Sequence, residues 1–470
     1  MEKKNSEFTT NFVFGQFFVP HACSVTDLQL RIENMLLWAA NGIGMIVGTL
    51  PLACLLQLIG GRKFFSKLNF ASFFLRSQAH LEFIEKYFII GIRLIQGITC
   101  AGIFPLIGTL SANWSSLKEQ FIFLVWGNLF IQAAPLISWP VVSIMLIQHR
   151  RLPYFICGGL NILYAFVWFV FYRDRPQYHP WVNGLELNKI VAGKVKVIRN
   201  RFSANHPFAS LAKSTSVWAI WVSSFGYYSI IALVTQFLPI YYHSVIKESI
   251  SDSIFLASSS FIFMFFFTIF HSLCQRFYYL CHDKTSVLVA NSVSFLVCSM
   301  MCIFLALFLP ANNDSLSIAC CFSALLSFLT LSIYGFYRSA ILVGRFYGQY
   351  IIANMQIFVG FSYCFVSMAA MFIIRNKFSL FLSIFLIKFP PIRTMKEISS
   401  DNFEWRLLFI LMALILLLTA ATFGIFGSGD VEEWAKDSWD PSAARRMINF
   451  DQIDYNNDEC GLIEMRLLKR

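Results

Sequence analysis

The feature that most constrains this chain is a recurrence: long, nearly uncharged apolar runs return about ten times between residues 35 and 427. They fall near 35–59, 87–112, 120–147, 153–172, 216–242, 254–274, 286–309, 316–337, 350–374 and 406–427. A helix rising about 1.5 Å per residue needs about twenty residues to cross roughly 30 Å of hydrocarbon. The runs meet that length, and they lack the strict alternation of a lipid-facing barrel strand. Charged residues are 13% of the chain and hydrophobic ones 57%, whereas soluble domains carry about a quarter charged residues. The expected fold is therefore all-α, a multi-span helical membrane protein.

Three further stretches are ambiguous. FFSKLNFASFFLR (64–76) is short and carries Lys67, and FSLFLSIFLI (378–387) is too short to span unless it re-enters or tilts. NFVFGQFFVPHAC (11–23) lacks the basic start and cleavage pattern of a secretory signal. The cysteines, among them Cys298, Cys302, Cys320 and Cys321, form no CxxC pair and have no His set nearby, so they read as small packing residues. The net charge of +11 does not gather into a soluble basic domain with interleaved aromatics, so no nucleic-acid partner is expected.

Residues 173–215 form the longest polar interruption, with eight basic residues against Asp174 and Glu186, a net of +6. The positive-inside bias places this bridge in the cytoplasm. It divides the chain into a first helical lobe (33–172) and a second (216–427), the layout of a two-lobed secondary transporter. By alternation Gly61, Arg62, Lys63, Lys67, Lys118, Arg276 and Lys284 fall inside, while His149, Arg150 and Arg151 fall outside against the rule. The sequon at Asn313 then lies in a lumenal loop, and that at Asn113 in the cytoplasm. The N-terminal segment 1–32 and a polar tail over 428–470 flank the lobes, and the tail is read as a flexible cytoplasmic extension.

Within the run at 87–112, Arg93, Gln96, Gly97, Cys100 and Phe104 follow one another at offsets of three and four, which places them on one helix face. Gly97 and Ala101 let a neighbouring helix approach, and Pro105 frees a backbone carbonyl. Two readings of Arg93 are open. It faces the bundle interior and neutralises an anion with its planar fork, or it snorkels to the headgroups from the first turns of its span. Other polar residues inside spans, namely Asn41, Tyr227, Tyr228, Gln236, His271, Asn291, Tyr334 and Arg338, either line a pathway or join helices by hydrogen bonds. Arg338 has a third reading, at the cytoplasmic end of its helix with Arg345 beyond it. No carboxylate lies deep in these spans, and no HExxH, GxSxG or P-loop pattern occurs, which argues against a membrane protease, an acyl transferase or an ATP-driven pump. No enzymatic activity and no cofactor or metal are expected.

Several separated stretches carry a family resemblance. RLIQG (93–97) with FP (104–105) and Trp114 resembles the fourth helix of the major facilitator branch that contains sialin, the vesicular glutamate transporters and the sodium/phosphate cotransporters. YFICGGLNILYAFVWFVFYRDRPQYHPWVNGLEL (154–187), VWAIW (217–221) with TQFLPIYY (235–242), and EWRLLFI (404–410) with FGSGDVEEWA (426–435) resemble that branch's sixth, seventh and twelfth helices and their flanks. Together they cover roughly residues 35 to 434. The resemblance implies two pseudo-symmetric lobes of about 11–12 helices that open a midplane site alternately to either side. It implies a small anionic substrate, organic or inorganic phosphate, coupling to Na+ or H+ or membrane potential, and a monomer in a plasma or endomembrane vesicle membrane. It implicates Arg93 in handling the anion; Gln96 beside it, then Tyr227, Tyr228 and Gln236 on the seventh helix, and lastly Arg338, are further substrate-binding candidates as polar residues inside spans.

Departures are also legible. No counterpart of the first helix precedes Glu33. Cys100 stands where sialin-like members carry an acid. The loop Leu58-Ile59-Gly60-Gly61-Arg62-Lys63 lacks its acidic member, and residues 378–393 have no family equivalent. These features favour the alternative expectation, a non-transporting relative acting as a membrane sensor or binding protein, or an incomplete gene model.

Overall fold

The computed structural model describes residues 27–68, 86–116, 119–148, 152–191, 208–273, 283–308, 315–373 and 400–436. The stretch 11–23, the insertion 378–393, the sequon at Asn313, the loop from His149 to Arg151 and the tail beyond Lys436 lie outside them. Among the described residues all regular structure is helical, and nine stretches are long and apolar enough to cross a membrane. This is a multi-pass membrane protein.

The first span, α1, covers Asp27–Ile59. The second comes in two pieces, α2 (Lys86–Cys100) and α3 (Ile103–Trp114), and so does the third, α4 (Gln120–Asn128) and α5 (Phe130–Gln148). Pro105 accounts for the first interruption. It has no N–H for the carbonyl of Ala101, and its ring crowds that same carbonyl. At the second, the Leu129 N–H reaches back only to the Trp126 carbonyl (3.2 Å) and the Gln132 N–H to that of Leu129 (3.1 Å), a local tightening toward 3₁₀ geometry. The lobe closes with α6 (Leu152–Phe171).

The bridge carries two short helices, α7 (Gly184–Val191) and α8 (Phe208–Lys213). The second lobe follows as α9 (Thr215–Ser244), α10 (Ile250–Leu273), α11 (Asp283–Phe308), α12 (Ser315–Gly344), α13 (Gly348–Ile373) and α14 (Ser400–Phe426), with a terminal turn, α15 (Glu433–Lys436). The lobes meet where α13 packs on α1 and α3 and where α10 packs on α5.

Within the first lobe α1 and α2 touch backbone to backbone. A Cβ on Gly44 would lie 2.1 Å from the Leu94 carbonyl oxygen, and one on Gly97 2.1 Å from that of Asn41. This approach fixes which face of α2 turns toward α1.

The bridge end of each lobe is braced by an aspartate. Asp174, just past α6, accepts the Arg62 N–H at 2.9 Å and lies against Gly60, whose φ of +79 favours glycine. The 58–63 loop is thus tied to the end of α6. In the second lobe Asp430, past α14, pairs with Lys284 at the start of α11 at 3.1 Å.

Candidate substrate path

Arg93 sits on the second turn of α2, and its guanidinium carbon lies 5.5 Å from the centre of the Trp38 ring on α1. Trp38 is buried, and its ring packs 5.2 Å from Phe237 on α9 of the other lobe. The arginine is therefore held on an aromatic platform that reaches the lobe interface, where a cation gains from the ring face. Gln96, one turn along α2, is part-buried. Gln236, beside Phe237, is buried, and its side-chain carbonyl accepts a hydrogen bond from Ser367 on α13 at 2.9 Å.

Next along the interface, the hydroxyls of Thr235 (α9) and Tyr363 (α13) stand 3.5 Å apart, with Cys100 beside Tyr363. Beyond them, Phe104 from the first turn of α3 packs edge-on against Tyr228 at 5.6 Å. The Tyr228 hydroxyl lies 2.6 Å from that of Tyr337 on α12, which donates to Asn128 at the end of α4 (3.4 Å). Tyr227 faces Gln132 on α5. Nine residues of α9 separate Tyr228 from Phe237, about 13 Å of helix rise, so the nominated residues form a column instead of one cluster.

Arg338 stands apart. Its guanidinium is nearly buried at 5% exposure, pairs with Asp283 at 2.5 Å and donates to the Tyr334 hydroxyl, whose ring carries Phe121 of the first lobe at 5.1 Å. It is a charged brace between α12 and the start of α11, at the bridge end of its helix. Asn291 is fully buried on α11 and donates to Ser223 at 3.4 Å within the second lobe, while His271 lies among Phe267 and Phe270.

Sequence reasoning passed over Asn128, Gln132, Tyr337 and Tyr363. A signal existed for two of them, because Asn128 and Gln132 are polar residues four apart in an apolar run, hence neighbours on one helix face. Nothing local marks Tyr337 or Tyr363, whose role depends on which helix lies opposite.

Two broken spans beside unbroken ones and a polar column at the interface of two lobes characterise this helical bundle. The sequence matches the Major Facilitator Superfamily over residues 8–371, and the chain belongs to that family. Similar curated proteins include sodium-dependent phosphate transport proteins, urate exporters and sialin. Human sodium-dependent phosphate transport protein 4 is 23% identical over 302 residues, 64% of this chain and 63% of that protein. The human probable small intestine urate exporter is 25% identical over 337 residues, 70% of this chain and 59% of that one. Human sialin is 23% identical over 361 residues, 74% of this chain and 65% of that one. The matched region thus spans somewhat under two thirds of these relatives' own length. Among solved structures the D-xylose–proton symporter superposes with a TM-score of 0.62 at 13% identity, covering 91% of this chain and 94% of its own, which speaks to the fold alone.

Proposed function

We propose that this transporter carries a small organic anion or inorganic phosphate by alternating exposure of the lobe interface, with Arg93 as the group that meets the negative charge. One observation carries the reading: the Arg93 guanidinium rests on Trp38, which packs across the interface on Phe237. A cation snorkelling to headgroups has no reason to adopt that platform, whereas a planar fork beside a polar column suits a carboxylate or phosphate. The similarity to a phosphate transport protein, a urate exporter and sialin supports an anion as cargo. Gln96 and Gln236 flank the capture point, and Tyr227 and Tyr228 line the next stage. Arg338 is assigned a bracing role through Asp283.

The test is uptake of labelled anions into vesicles holding the purified protein, with and without sodium and a pH gradient. Arg93→Ala should lower uptake by about thirtyfold or more, the scale of removing one partner of a desolvated charged contact. Arg93→Lys, which keeps the charge but loses the fork, should fall between. Unchanged uptake in a correctly folded Arg93→Ala protein would remove the arginine from the mechanism, and dependence on either gradient would name the coupling ion.

A further inference from the structure

Two large apolar side chains on the bridge are left open: Trp181 is 73% exposed and Leu185 79%. The chain that carries them is firmly held. The Trp114 indole N–H, at the end of α3, donates to the Arg173 carbonyl at 3.2 Å, and the Trp114 ring meets His179 edge-on at 5.5 Å. Pro176–Tyr178 form a single 3₁₀ turn, after which the Trp181 N–H donates to Nδ1 of His179 at 3.3 Å. Then α7 buries Leu187 and Ile190 and ties Lys189 to Glu119. An indole and a leucine presented outward from so pinned a segment call for something to cover them.

Their surroundings show what does. Leu160, Leu163, Val167 and Phe171 follow at offsets of three and four along α6 and are all exposed, so they form a stripe that a membrane span turns toward acyl chains. The stripe ends at Phe171, whose ring lies 5.8 Å from Trp181. The lipid-facing surface therefore continues off the span and onto the bridge. At that level a tryptophan suits the headgroup boundary, with an apolar ring and a polar N–H. The charges beside it have one dominant sign. Arg173 closes the last turn of α6 by donating to the Val170 carbonyl at 3.1 Å, and Arg175 lies over Tyr178 at 5.9 Å. Lys63 and Lys67 are exposed at the same end, where Arg62 covers the Phe169 ring of α6 at 4.5 Å. Of the acids nearby, Asp174 already accepts the Arg62 N–H and Glu119 already holds Lys189, which leaves Glu186 to oppose them.

We propose that Phe171, Arg173, Arg175, Trp181 and Leu185 form a docking surface for anionic phospholipid in the leaflet on the bridge side. Trp181 and Leu185 sink into the headgroup boundary, and the two arginines meet the negative headgroups above it. The bridge between the lobes is thereby fastened to the bilayer at its first-lobe end. This surface is independent of the cargo that the lobes carry.

Hydrogen exchange of the full chain in nanodiscs tests it. Amide exchange over residues 177–191 should be about fivefold slower in phosphatidylcholine mixed with phosphatidylglycerol than in phosphatidylcholine alone, the scale of one basic residue at an anionic surface. Arg173→Gln with Arg175→Gln should erase that difference, and Trp181→Ser with Leu185→Ser should speed exchange in both lipids. Exchange within α13 reports whether each variant is folded, and the wild-type comparison stands even if one is not. Equal exchange of the wild type in the two lipids, or a lipid difference that survives loss of both arginines, would overturn the proposal. So would inorganic phosphate that slows exchange equally in phosphatidylcholine alone, because the arginines would then hold a free anion and not a headgroup.

Discussion

In the first lobe two spans break in mid-course, at Ala101–Gly102 and at Leu129, while in the second α9 and α12 each run for 30 residues without interruption. The intramembrane arginines differ in parallel. Arg338 of the second lobe is held by Asp283, and Arg93 of the first rests on an aromatic face at the interface. The close approaches differ as well. Gly44 and Gly97 bring backbone onto backbone, whereas Gly226 of α9 meets the side chain of Thr419 on α14. The contrast teaches a division of labour: the first lobe supplies irregular backbone and a cation set on an aromatic face at the interface, and the second supplies a stiff wall of tyrosines.

The hardest way to break this comparison is at the glycines. Gly97→Leu should abolish assembly, because the added side chain would have to displace backbone of α1. Gly226→Ala meets Thr419, a side chain able to rotate, and should cost about 1–3 kcal/mol. Yield and melting temperature of monodisperse, detergent-solubilised protein would check both, and equal tolerance at the two positions would erase the distinction.

The arginines come next in size. Asp283→Asn leaves the nearly buried Arg338 without its anion and should destabilise by about 2–3 kcal/mol, below the full figure for a buried pair because Asp283 is itself half-exposed. Arg93→Met should remove transport while the protein still folds. Thermal melts of the two variants side by side would sharpen or sink the assignment of a brace to one arginine and of function to the other.

Pro105→Ala restores an N–H to the interrupted second span. It should raise stability by about 1 kcal/mol, part of the penalty of an interior proline, while slowing uptake. Faster uptake from the healed helix would contradict a functional role for the break.

The smallest effect lies at the bridge, where Lys189 of α7 reaches Glu119 just before α4 at 2.7 Å. The hydrogen bond from Lys189 holds the Glu119 carboxyl below its usual value. A carboxyl depressed in the folded state stabilises above the unfolded value and loses that contribution as pH falls through the folded one. Because both side chains are well exposed, Lys189→Ala should cost only about 0.5 kcal/mol at neutral pH, and its melting difference from wild type should vanish as the solution is acidified below 4.5. A difference that persists in acid would assign Lys189 some other contact.

Much of this was legible beforehand. The apolar runs gave the spans, because hydrocarbon thickness converts directly into helix length. The offsets of three and four from Arg93 to Phe104 gave a shared face, and Pro105 gave the break. The Gly97 spacing announced a close neighbour without naming it as α1. The tie from the 58–63 loop to Asp174 was not legible, because the two lie more than a hundred positions apart.

By itself, then, the sequence determined what depends on neighbours along the chain: helical spans, a two-lobed membrane fold, and a cation set among hydrocarbon. Only the tertiary structure decided that Arg338 is paired with Asp283, that Arg93 rests on Trp38, and that Tyr228, Tyr337 and Asn128 join across the interface. Covalent order sets the periodicity of each helix, but which faces meet is settled by the packing of all of them at once.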